Sequence, residues 1–451
     1  MSLRLAIAAV AIVGAAAAAA GIGVRASYGA QVTGDEPHYL LTAISLAEDR
    51  SLNVSDEIRA RRYLPFHEVP IDPQSRPLDE RGTLVSPHDP LLPLLLAAPV
   101  AAGGWIAAKA LLAALNGVLA GAVVWIAVRR FGAGVAPAAL VAGVFAASAP
   151  FAVYGNQVYP ELPAALAVTG ATGALTGRFG RGGMTLLAAS VIALPWLSVK
   201  YAPVAAALAL LGLLRLRLAG RARAAAALAG GLGLAGAAFV VLHLAWYGGV
   251  TPYAAGDHFV GGELTVVGRP DFAGRSVRLV GLLIDREFGL AAWQPAWLLT
   301  LPAAGWLLRA RPQGWPVLAA PFAAGWLTAT FVALTMHGWW WPGRQVVVVL
   351  PAALIAVAAW TRSRRRLAAV VALGAAGIVT YAWFVVEGMA RRTTWAVDFY
   401  EASVPIYRAW AQLLPAYREP GATTWTLHAL WVVVAISLVV WGYRTASSSG
   451  R

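Results

Sequence analysis

The chain has 451 residues, 59% hydrophobic and only 12% charged, with a mean hydropathy of +0.66, whereas an ordinary soluble domain carries about 25% charged residues. This is the composition of a polytopic membrane protein, and the lack of cysteine excludes disulfides, zinc-thiolate sites and thiol nucleophiles. The net charge of +14 does not point to nucleic acid, because the basic residues are spread between apolar runs rather than gathered on one soluble face.

A membrane-crossing helix needs about 20 predominantly apolar residues. In chain order, such runs lie near residues 3–24, 105–128, 133–153, 161–177, 184–199, 202–214, 224–247, 289–308, 314–335, 345–360, 367–386 and 424–443. They predict an all-α, single-domain membrane protein of about twelve spans over residues 1–451. A Pro-rich apolar piece at 90–102 is too short to cross and predicts a helix lying in or dipping into the interface. The first run, with Arg4 and a polyalanine core, also fits a secretory signal peptide with cleavage near Ala26–Ala30. Either way, the residues that follow it lie outside.

Arginines at 129–130, 178–181, 215–223, 309–311, 362–366 and 444 close alternate connections, which marks those connections and both termini as cytoplasmic. Seventeen of the 35 basic residues and none of the 21 acidic ones fall on that side, although the acidic residues played no part in drawing the map. The outer connections are then 25–104, 154–160, 196–201, 248–288, 336–344 and 387–423. Within the first, Leu40–Leu52 and Ser55–Tyr63 have the mixed pattern of short amphipathic helices lying on the membrane, and Pro65, Pro70, Pro73 and Pro77 mark an extended stretch.

A polar cluster follows the first apolar run: Gly34-Asp35-Glu36-Pro37-His38-Tyr39. At a helix end it can meet water or a headgroup without burying charge in lipid. The acids also suit a helix N-terminal cap, with Pro37 at the first helical position, and Glu161, which begins a span, has the same default reading. Lys200 and Arg344 sit at outer helix ends, where they can hold a phosphate or merely anchor the helix; Arg286 is a further candidate, and Lys109 reads as a snorkelling residue. Trp339-Trp340-Trp341 can stack on a sugar or serve as interface belt.

With Asp35-Glu36-Pro37-His38-Tyr39 after a first span, and with Ser86-Pro87-His88-Asp89-Pro90, Tyr159-Pro160-Glu161-Leu162-Pro163, Leu194 to Tyr201, Asp285 to Leu290 and Trp341-Pro342-Gly343-Arg344, the chain resembles the GT-C superfamily of membrane glycosyltransferases. The nearest branches are the protein O-mannosyltransferases and the aminoarabinose transferases. The resemblance implies an inverting transfer of a sugar from a polyprenyl phosphate to an acceptor hydroxyl of a lipid, glycan or protein at the extracytoplasmic face of the bacterial plasma membrane. It implies Asp35 as general base with Glu36 as a second functional acid. Lys200, Tyr201, Arg344, Arg286 and His88 are expected around the donor phosphate, and His38, Tyr39, Glu161 and Trp340 around acceptor or sugar. Unlike those two branches, this chain shows no sizeable soluble C-terminal domain, which leaves the acceptor open. The Ala, Gly and Arg bias of a GC-rich bacterial genome associates with mannose or arabinose as the sugar.

No cofactor is favoured. Mg2+ or Mn2+ could bind carboxylates near a phosphate, with Asp257-His258 as further ligands, but no Asp-x-Asp pair occurs in the first outer loop. A transporter or flippase would place ionisable groups near the bilayer midplane and often show a repeat, whereas a non-catalytic scaffold would need no convergent acid and cations.

Overall fold

The computed structural model describes residues 1–259 and 271–446; part of the expected outer connection at 248–288 therefore lies outside the described residues. The structure is all-helical, and among the described residues only isolated bridges such as Ala30 with His67 represent β pairing. In chain order the helices are α1 (Leu3–Ala20), α2 (Glu36–Glu48), α3 (Ser55–Arg59), α4 (Leu91–Phe131), α5 (Val135–Ala146), α6 (Phe151–Tyr154), α7 (Glu161–Thr176), α8 (Arg181–Leu197), α9 (Ala202–Leu218) and α10 (Ala222–Tyr247). They continue as α11 (Phe272–Arg275), α12 (Arg278–Ile284), α13 (Leu290–Trp293), α14 (Thr300–Ala310), α15 (Trp315–Leu327), α16 (Leu350–Trp360), α17 (Arg364–Met389), α18 (Pro405–Ala411) and α19 (Ala422–Arg444).

The twelve apolar runs are helical over most of their length, and among the described residues seven segments are long and apolar enough to cross a membrane: Leu3–Ala20, Leu91–Phe131, Val199–Leu218, Ala222–Ala255, Trp315–Val332, Arg364–Met389 and Ala422–Arg444. The chain is thus a helical membrane protein. Shorter apolar helices such as α5, α8 and α16 pack beside these; at about 1.5 Å per residue each falls short of a 30 Å hydrocarbon layer.

Helix α4 is the hub, packing against α1, α2, α5, α7 and α16. Between helices in lipid the drive is close contact rather than water exclusion, so small residues mark the seams. The inward face of α1 is Ala6, Val10, Gly14 and Ala18, at a spacing of four, while Leu5, Ile12 and Val13 point outward. On α4, Gly117 lies so close to the Ala11 carbonyl that a side-chain carbon there would collide with it. Asn116 fixes the register, its amide donating to the Gly14 and Ala146 carbonyls at 2.9 and 3.0 Å.

Two of the sequence expectations are corrected. Residues 36–45 of α2 are all buried, because α2 packs on α4 instead of lying on the membrane; the mixed pattern reflects polar groups with internal partners. Lys109 does not snorkel: it is fully buried, and its ammonium donates to the Gln31 carbonyl at 2.9 Å.

Helix α7 has two chemically different ends. At its C-terminal end, Arg215 of α9 donates to the Leu175 and Gly177 carbonyls and Arg221 to that of Phe179. At its N-terminal end lie Glu161 and a group of other charged side chains.

Within α4 the helix breaks at Gly103 and Gly104, and Gly104 adopts φ +62° and ψ −154°. The break separates the Pro-rich piece from the membrane-length part. A side chain at Gly104 would meet nothing within 4 Å, so Gly104→Ala tests the backbone alone. It should cost about 1–3 kcal/mol, read as a lowered unfolding temperature in detergent.

Candidate active site

The site begins where the first outer loop turns into α2. Asp35 occupies the N-cap position yet has helical dihedrals (φ −80°, ψ −16°) and makes no side-chain cap bond, so the capping alternative is not what the structure adopts. Its neighbour Glu36 is completely buried, with one carboxylate oxygen accepting from the Thr33 amide at 3.3 Å and the other from the Val158 amide at 2.7 Å. Glu36 thereby ties the start of α2 to the strap leading into α7. Burial pushes its carboxyl up, against the pull of Lys109 and these amides. The adjacent acids therefore do different work: Glu36 holds the loop, and Asp35 is left to face the other charges.

Those charges arrive from distant parts of the chain. Arg344 donates through Nη2 to Asp35 Oδ2 and through Nε to Glu161 Oε1, the latter at 3.2 Å. Lys200, in a 3-10 turn over Val199–Tyr201, donates to the same Glu161 oxygen at 2.7 Å. Two carboxylates and two cations form one chain: Asp35, Arg344, Glu161, Lys200. Glu161 has no exposure and Arg344 little, whereas the side chains of Asp35 and Lys200 are 25% and 23% exposed. The two ends of the chain are the accessible ones.

Aromatic rings frame the cations. The Arg344 guanidinium lies 4.2 Å from the Tyr159 ring centre and 5.1 Å from that of Trp340, contacts that favour a desolvated cation. Lys200 lies 5.2 Å from the buried Tyr201 ring. His88 stacks on buried Tyr39 at 4.8 Å, with buried His38 6.1 Å away. Among the described residues, the second oxygen of Glu161, the Tyr201 hydroxyl and His88 Nε2 have no hydrogen-bond partner. Burial alone would raise the Asp35 carboxyl, but the Arg344 guanidinium beside it holds it well below the usual carboxylate range. Burial lowers His38 to about 3 and also lowers His88, each reinforced by neighbouring cationic groups and opposed by Asp35, which keeps both imidazoles neutral at pH 7. The cluster thus combines two carboxylates, two cations and neutral hydrogen-bonding rings.

Of the residues singled out from sequence, the structure brings together Asp35, His38, Tyr39, His88, Glu161, Lys200, Tyr201, Trp340 and Arg344. Arg286 is held elsewhere, its Nε donating to the Ala411 and Leu414 carbonyls. Asp257 and His258 contact each other at the surface. Three carboxylates at the far end of α2, those of Asp49, Asp56 and Glu57, have oxygens within 4.8 Å of one another.

Two positions were overlooked in the sequence. Tyr159 was visible only as part of the Tyr-Pro-Glu motif. Asp89 accepts from the Val199 amide at 2.9 Å and pairs with His243 at 3.2 Å, setting the turn that carries Lys200; nothing in the sequence linked it to a histidine 154 positions away. Comparison with protein families, with curated proteins and with solved structures returns no match for the chain.

Removing the shared acid should leave Lys200 with no counter-charge and Arg344 held by Asp35 alone. Glu161→Gln is expected to cost about 3 kcal/mol, the lower end of the range for breaking a buried ion pair because Lys200 is partly solvated. Thermal unfolding in detergent checks this, and an unchanged midpoint would contradict the arrangement.

Proposed function

We propose that this protein is a GT-C-type glycosyltransferase that moves a sugar from a polyprenyl phosphate to an acceptor hydroxyl. The observation that carries the reading is the convergence of Asp35, Arg344, Glu161 and Lys200, from four separate parts of the chain, into one cluster whose Asp35 and Lys200 ends are open. In the proposed topology the twelve apolar runs all cross or enter the bilayer of a bacterial cell. Both termini and the Arg215 end of α7 are cytoplasmic, and the Asp35 end is extracytoplasmic.

The chemistry needs one base and a place for an anion. Asp35 takes the proton of the acceptor hydroxyl as general base. The acceptor oxygen forms its bond to the anomeric carbon from the face opposite the phosphate, the anomeric carbon–oxygen bond breaks, and configuration inverts. The polyprenyl phosphate leaves with the electron pair. Phosphate is a good leaving group, so the acid that a glycosidase supplies to an alkoxide is not required. Lys200 and Arg344 stabilise the charge that develops on it.

The bond between Arg344 and Asp35 gives this scheme an order. While Arg344 is held by Asp35, the carboxylate is ionised but weakly basic. A donor phosphate draws the guanidinium toward itself and adds negative charge nearby, and both effects raise the basicity of Asp35. The base is strengthened once the donor is in place.

The test is transfer by purified protein in nanodiscs from a panel of polyprenyl-phosphate sugars that includes mannose and arabinose. One donor is expected to be consumed. Asp35→Asn should lower the rate by about 10²–10⁴-fold in a protein that still folds, its unfolding midpoint lowered by the lost Arg344 contact; equal activity in the variant, or consumption of no donor, sinks the reading. Activity is expected to survive EDTA, and its loss with rescue by Mn2+ would assign the chemistry to a metal.

The pH profile is a separate check. Because Arg344 depresses Asp35 in the unliganded enzyme, the acid limb of kcat/KM should fall below about pH 4, the ordinary aspartate value, while the limb of kcat lies higher. A limb of kcat/KM at pH 6–7 would transfer the role of base to a histidine.

A further inference from the structure

The three tryptophans before Arg344 face three different ways. Trp340 lies against Arg344, and Trp341 is buried among Trp293, Phe384 and Trp395. Trp339 is 65% exposed and borders a cavity of about 300 Å³, at the small end of the range for ligand sites. The Trp339 carbonyl lies beside Gly34, next to Asp35, so the cavity and the candidate active site share this one segment.

The walls of the cavity are of two kinds. Trp339, Phe288 and Tyr400 supply ring surfaces, and His337, Asp398 and Arg418 supply hydrogen-bonding groups. The one arginine in the wall is already paired: Arg418 donates to Glu287 at 2.9 Å and lies 5.0 Å from the Tyr400 ring centre. His337 is 3.4 Å from Asp285, and the Tyr400 hydroxyl is 3.4 Å from Asp398. A phosphate or carboxylate would find no surplus cation here. Asp398 has φ +54°, a conformation that costs a non-glycine residue energy and that clusters at ligand sites.

We propose that this cavity binds one neutral monosaccharide unit of an acceptor glycan. A sugar ring offers an apolar C–H face, which suits the exposed indole, and a rim of hydroxyls, which suits planar acids, imidazoles and guanidinium groups. Given the transferase reading above, on which the word acceptor rests, the shared Trp339–Arg344 segment leads from this subsite to the base. The acceptor is then a glycan rather than a lipid or an unglycosylated protein.

Binding can be measured without turnover. Full-length protein in nanodiscs is titrated with the methyl glycosides of mannose, arabinose, galactose and glucose, with saturation-transfer NMR as the readout. At least one should bind, with the strongest transfer to the C–H protons of one ring face. Trp339→Ala and Arg418→Gln should each weaken it about tenfold, Trp339→Phe should restore most of it, and Asp35→Asn should leave it unchanged. Exposed Trp339 contributes little packing, so its variants should keep the wild-type unfolding midpoint. No binding to the folded wild type, or binding that survives both Trp339→Ala and Arg418→Gln, overturns the proposal. Saccharide binding by a protein that consumes no polyprenyl-phosphate sugar would uphold the cavity and sink the transferase reading. Transfer with an unchanged acceptor KM in Trp339→Ala would do the reverse.

Discussion

Arg344 is shared by Asp35 and Glu161, and most of the candidate site depends on that sharing. Alone, any of the four charges at this helix end would be costly to desolvate. Together they neutralise one another in sequence, so the innermost members, Glu161 and Arg344, can be buried while the outer members, Asp35 and Lys200, stay open. A closed ion pair would satisfy itself and offer nothing to a ligand. An alternating chain with accessible ends is stable when empty and still has a carboxylate and an ammonium to present.

The helical scaffold explains how groups so far apart in sequence can meet. Asp35 begins α2, Glu161 begins α7, Lys200 lies in the turn between α8 and α9, and Arg344 precedes α16. All four are at helix ends, where loops rather than membrane-length apolar runs surround them. Their positions follow from α4, which packs against α1, α2 and α7. Small residues at the α1–α4 seam bring the helices close, and the Asn116 bonds fix their relative height. Glu36 then pins the Asp35 turn to the strap before α7. Packing deep in the bundle is in this way transmitted to the geometry at its surface.

Helix positions were legible because an apolar run of span length has little alternative in lipid: backbone groups must bond internally, and a helix does this locally. The break between the Pro-rich piece and the next run was legible for a related reason, since Gly103-Gly104 stands at the boundary. The reading failed where pattern and environment diverge. The mixed sequence of α2 looks amphipathic, yet its polar residues are consumed by partners inside the protein. Lys109 carries no local sign that the Gln31 carbonyl would meet it inside the protein.

Residue chemistry alone determined that this is a helical membrane protein without thiol chemistry, that its acids avoid the short arginine-rich connections, and which carboxylates and cations were worth watching. It could not determine which of them meet, because contacts across 39, 183 or 309 positions depend on how helices pack and not on any local pattern. Only the tertiary structure separated Asp35 from Glu36, sending one to Arg344 and the other to backbone amides. It also placed Arg286 elsewhere and set Trp339, Trp340 and Trp341 to three different tasks. The physical reason is the same in each case: a side chain's ionisation and availability are fixed by the partners that surround it, and those partners come from elsewhere in the chain.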